Sequence, residues 1–155
     1  RGIEYDALTN STISNNRIST GGASIVGIYE ASTVTGSDGN RIINNFIDGS
    51  DNEHKIQIQD VDTIVSHPPG YNYIDTSMSG NLTFYLGTGN TMILDAGGSA
   101  RNLVASGVFP KGYQIRVINI GGETLTFDSA GTPHAIATTE RGVFVYTGSA
   151  WVDAW

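Results

Sequence analysis

A six-residue segment that returns at a fixed interval constrains this chain more than any other feature. Ile13-Ser14-Asn15-Asn16-Arg17-Ile18 recurs as Ile42-Ile43-Asn44-Asn45-Phe46-Ile47 at a constant offset of 29, with four of the six residues identical. A second family lies between these copies. Gly2-Ile3-Glu4-Tyr5 resembles Gly27-Ile28-Tyr29-Glu30 at an offset of 25, and Lys55-Ile56-Gln57-Ile58 repeats Gly27-Ile28 at an offset of 28. Two strand types that alternate at such similar offsets, with Gly/Ser/Asp turns between them, read as coils of a parallel β-solenoid. One coil cannot bury its inward face, whereas stacked coils build a continuous core. The expected inward positions are Ile3, Ile13, Ile18, Ile28, Ile42, Ile47 and Ile56. At the turns, Asn15 is expected to stack under Asn44 and Asn16 under Asn45, through their side-chain amides. Asn also tolerates the left-handed backbone that such a bend requires.

Composition agrees with strands throughout. The 155 residues include 17 Ile, 10 Val and 16 Thr against 6 Leu, 5 Glu and 2 Lys, and β-branched side chains favour strands over helices. Net charge is −7. No basic patch is present to neutralise phosphates, which argues against nucleic acid as a partner. No apolar run approaches the roughly 18 residues of a membrane span, so membrane insertion is not expected. The chain has no cysteine, which excludes disulfides, thiolate metal sites and cysteine nucleophiles. It opens on Arg1-Gly2-Ile3 with no initiator Met and a strand pattern already under way, as a piece of a longer polypeptide would.

This periodicity fails after Val61. Pro68-Pro69-Gly70 cannot lie in a central strand. Residues 1–62 carry 4 basic and 9 acidic groups, whereas residues 63–155 carry 4 and 6. The expected organisation is β-helix coils over 1–62, a linker or cap over 63–78 and a second domain over 79–155. Short strands are expected near 82–86, 92–95, 102–105, 114–120, 124–127, 135–138 and 143–146, with glycine turns between them. That spacing predicts a small antiparallel β-sandwich or jelly roll. Val143 to Val152 reads as a hairpin that reverses at Gly148-Ser149.

The Gly-Ile strands and the Asn-x-Ile turns resemble the right-handed parallel β-helix of pectate-lyase-like proteins, and among these the bacteriophage tailspikes. The closing Tyr146-Thr147-Gly148-Ser149-Ala150-Trp151 is similar to hairpins that end phage tailspikes and tail fibres. The resemblance implies the C-terminal end of a tailspike, in which the last β-helix coils precede a sandwich that trimerises the chain. It further implies location in the virion tail and a parent chain that binds and depolymerises a bacterial surface polysaccharide. The catalytic carboxylates of such parents lie in earlier coils, so no enzyme activity is expected here.

Two small β units without disulfide or metal gain stability from oligomerisation, and the tailspike resemblance makes the assembly a homotrimer. The unusually apolar terminus supplies the interface candidates Trp151, Val152, Ala154 and Trp155, since alternation can pack one face inward and turn the other to a neighbour. Sugar contacts, if present, fall to Tyr5, Tyr29 and Glu30. Glycan hydrolysis needs two carboxylates about 5–9.5 Å apart. Glu4 and Glu30, on strands stacked at ~4.8 Å, are the candidate pair; the plainer reading is that they solvate an acidic lateral face. A carbohydrate-binding module would instead use Tyr71, Tyr73, Trp151 or Trp155 as stacking platforms. His54, His67 and His134 lack partners at ligand spacing, and no glycine-rich phosphate cradle occurs. No metal or cofactor is expected.

Overall fold

The structure, a computed structural model, describes residues 2–6, 8–19, 26–31, 39–48, 55–68, 72–129 and 133–154. Its described elements are strands, apart from one 3₁₀ turn at Leu86–Thr88. The first coil contributes β1 (Ile3–Tyr5), β2 (Thr12–Ser14) and β3 (Arg17–Ser19). The second contributes β4 (Ile28–Glu30), β5 (Arg41–Ile43) and β6 (Phe46–Asp48), and the third β7 (Ile56–Gln57) and β8 (Ile64–Ser66). They stack in parallel as β1-β4-β7, β2-β5-β8 and β3-β6. Register follows the repeats: Ile3 lies opposite Ile28, Ile13 opposite Ile42 and Ile18 opposite Ile47. Ile28, Ile42, Ile47 and Ile56 are buried as expected, while Ile3 and Ile13 are only partly buried.

Two devices hold this register. Asn15 and Asn44 adopt φ of 56° and 52°, which turns the chain sharply at each corner. The register sets Asn15 beside Asn44 as expected, but both are exposed and no hydrogen bond joins their amides among the described residues, so their contribution is conformational. The amide contact belongs to the residues that follow. Asn16 donates Nδ2–H to Asn45 Oδ1 at 3.0 Å, its backbone N–H reaches the same oxygen at 3.0 Å, and Asn45 Nδ2 donates to Ile13 O at 2.8 Å. Asn40 repeats the arrangement at the preceding corner, after Gly39 at φ 64°. It accepts from Ser11 N–H at 3.1 Å and donates to Leu8 O at 2.8 Å. The glycines of the Gly-Ile strands serve close approach: a Cβ on Gly2 would fall 2.6 Å from both Gly27 O and Ile18 Cγ2.

The segment 63–78, expected as linker or cap, contains β8 and β9 (Asn72–Asp75). β8 continues the β2-β5 stack, with Val65 opposite Ile42. Beyond it the chain alternates between two facing sheets through β10 (Leu82–Phe84), β11 (Thr91–Leu94), β12 (Arg101–Ala105), β13 (Gln114–Asn119) and β14 (Leu125–Phe127). β9-β11-β13 and β10-β12-β14 are both parallel. This corrects the antiparallel sandwich expected over 79–155. Solenoid stacking carries on with two strands per coil, and the glycine-turn spacing fits either pairing direction. Among the described strands, antiparallel pairing enters only with β15 (His134–Ile136), β16 (Arg141–Tyr146) and β17 (Trp151–Asp153), which extend the sheets to β10-β12-β14-β15 and β9-β11-β13-β16-β17. Met92, Leu94, Leu103, Ile115, Val117 and Leu125 fill the space between them at 0% exposure.

Replacing Asn45 by Ala strips a buried carbonyl and an N–H of their partners, which should lower stability by about 2–3 kcal/mol. Asn44→Gly, which keeps the left-handed corner, should leave stability nearly unchanged. Urea titration of the two variants checks the distinction.

Candidate functional site

Glu30 does not stand on the outer face. Strand alternation puts it inside, at 2% exposure, where its carboxylate accepts four hydrogen bonds. The donors are Tyr5 Oη at 3.1 Å, Gln59 N–H at 2.7 Å, Asp60 N–H at 2.9 Å and Thr63 Oγ1 at 3.1 Å. The carboxylate therefore organises the 59–63 turn that delivers β8. Tyr5, 6% exposed, belongs to the same buried group, so neither side chain is available to a sugar. Glu4 lies opposite Tyr29, and Tyr5 opposite Glu30. The supposed carboxylate pair thus points to opposite faces, Glu4 exposed and Glu30 buried. Tyr29 is half-buried.

The coils change from three strands to two near His67, and this histidine pins the change. Its buried Nε2 lies 3.0 Å from Leu86 O and 2.8 Å from Tyr113 Oη. A carbonyl only accepts, so the proton sits on Nε2. Burial lowers the imidazole pKa from 6.5 to about 4; Lys55 adds to the shift and the Leu86 carbonyl opposes it. Lys111 N–H donates to Val61 O across the same junction. His134 lies 3.5 Å from Asp153 through Nδ1. His54 lies outside the described residues. Among those residues no group of His, Asp and Glu is arranged to hold a metal ion.

The aromatic candidates divide sharply. Trp151 is core, 8% exposed, with its ring against Phe109 at 5.1 Å, Tyr146 at 5.4 Å and Phe127 at 5.6 Å between centroids. It serves neither as an interface residue nor as a sugar platform. Val152 and Ala154 are exposed beside it, on and just after the edge strand β17. Tyr73 is half-buried on the inner side of β9. Tyr71 and Trp155 lie outside the described residues.

The change in coil shape leaves concavities on two sides of the junction. One, of about 200 Å³, lies between β7 and the 3₁₀ turn and is floored by Ile58, Leu86 and Val108. The other, of about 280 Å³, lies where β8 meets the beginnings of β11 and β13. Ser66, Asn90, Thr91, Gln114 and Arg116 supply its polar lining. Sequence reading passed over these five residues, because they come from separate coils and only the stacking brings them together. Among the described residues no helix is long and apolar enough to cross a membrane. No family model, curated protein or solved structure matches the chain.

The His67 geometry sets a pH dependence. The unfolded chain takes up a proton near pH 6.5 and the folded chain only near 4. This contribution to stability is complete above pH 6.5, falls as pH drops from 6.5 to 4, and is lost by about 3 kcal/mol below that. Urea titrations across this range should show the decline in the wild type and a flatter profile in His67→Gln.

Proposed function

We propose that this chain is the closing end of a bacteriophage tailspike, carried in the virion tail, whose parent binds and depolymerises a bacterial surface polysaccharide. In this reading the chain ends the β-helix and holds three copies together. The observation that carries it is the way the stack ends. Parallel coils run from β1 to β14, and then three antiparallel strands fold back and drive Trp151 into the aromatic core. Such an arrangement ends a solenoid, because the last parallel rungs no longer present open edges for further pairing.

Self-association has support from the surface that remains. β17 is an edge strand, and its Val152 is 43% exposed; Ile74, at 60%, lies on the opposite edge strand of the same sheet. Val152 and Ala154 are the contacts we assign to a neighbouring copy around a threefold axis. Trp151 supports that surface from beneath. The buried, fully hydrogen-bonded Glu30 favours a structural over a hydrolytic part for the first coils, and no cofactor enters this reading.

Sedimentation equilibrium should return about three times the chain mass of 16.4 kDa. Val152→Asp should give a folded monomer, since the exposed position tolerates charge but a neighbour would not; a wild-type monomer at micromolar concentration would end the proposal. The chain alone should release no reducing ends or unsaturated uronate from polysaccharide. Turnover that falls in Glu4→Gln would reinstate a hydrolase or lyase.

A further inference from the structure

The cleft beside β8 carries an unspent set of polar groups. Ser66, Asn90, Thr91, Gln114 and Arg116 line it, and none of their side chains makes a hydrogen bond or ion pair within the protein among the described residues. At other corners and junctions Asn45, Glu30 and Arg101 are engaged by hydrogen bonds within the protein, as these five side chains are not. Charge is also segregated here. The outward positions of the described strands β9, β11, β13, β16 and β17 hold Arg116 and Arg141 but no Asp or Glu, in a chain of net charge −7. Arg116 pairs with Val143 and Arg141 with Ile118, which makes the two arginines diagonal neighbours about 7–8 Å apart.

We propose that this cleft binds a carboxylate-bearing sugar, of the uronate kind, within an acidic polysaccharide. A guanidinium offers a planar fork that matches a carboxylate. Carboxamides and hydroxyls both donate and accept, as the hydroxyls of a pyranose ring do. Arg116 takes the carboxylate, while Asn90, Gln114, Thr91 and Ser66 take ring hydroxyls. Arg141 adds attraction from outside the cleft, which weakens as salt rises. The assignment rests on the reading that the parent recognises a surface polysaccharide, and it names the chemical class of that ligand.

Calorimetry at low salt with an oligogalacturonate, its carboxyl-reduced neutral counterpart of the same linkage and length, and an oligoglutamate tests the assignment. The acidic sugar should bind the wild type at least ~10-fold more tightly than either control, and Arg116→Gln should remove a similar factor. Arg41→Gln, which changes an exposed arginine on β5, should leave binding as it was. Equal binding of the neutral sugar, equal binding of oligoglutamate, no detectable binding of the acidic sugar, or indifference to Arg116→Gln would each overturn the proposal. Oligomeric state, measured on the same samples, reports separately on the tailspike reading.

Discussion

Each coil of this protein is incomplete until the next one covers it, and the cross-rung amide of Asn45 is the contact that fixes how they meet. So short a strand has little to hold its register, and a slip by one would turn every inward isoleucine outward. Asn45 prevents the slip because its oxygen accepts from both the backbone and the side chain of Asn16, while its nitrogen reaches Ile13 O. Asn40 does the same on the other side of β5. With β5 tied at both ends, Ile42 is held under Ile13 and over Val65.

The transition between the two coil shapes depends on two buried polar groups of different character. Glu30 brings a carboxylate into the core and surrounds it with four donors, three of them from residues 59–63. Burying such a charge is costly unless it is fully hydrogen-bonded. It therefore selects the one conformation of that turn which satisfies it. His67 remains neutral and joins β8 to the 3₁₀ turn and to Tyr113. Between them they let a three-strand rung hand over to a two-strand rung without a break in the core. The two clefts are the space left over where one outline replaces the other.

The far end closes through aromatic packing. Phe127 and Phe144 stack with centroids 4.1 Å apart, and Trp151 sits edge-on to Phe84, Phe109 and Phe127. Large rings gain several tenths to more than one kcal/mol beyond burial in such arrangements, and a tripeptide strand at a sheet edge needs that gain. The same packing removes Trp151 from any surface role and leaves β17 with Val152 alone as its large exposed apolar side chain.

The repeats by themselves determined the parallel stacking of the first coils and their register, because a constant offset between two Ile-x-Asn-Asn-x-Ile segments has no other economical cause. They also contained the placement of Glu30. Glu4 and Glu30 are separated by one position more than the offset at which their strands repeat, so alternation alone puts the two carboxylates on opposite faces. The Gly39-Asn40 corner lies 29 residues after Asn10-Ser11 but shares no residue with it, so the likeness shows in the backbone, where Asn10 and Gly39 both take positive φ, and not in the sequence. What only the tertiary structure decided was pairing direction beyond Val61, where the spacing from strand to strand varies and the matches in register are single residues, such as Ile74, Ile93 and Ile118. Parallel and antiparallel strands share one alternation of inward and outward side chains, and turn glycines serve both. The cleft of Ser66, Asn90, Thr91, Gln114 and Arg116 depends on that direction, since stacking is what brings side chains from three coils to one place.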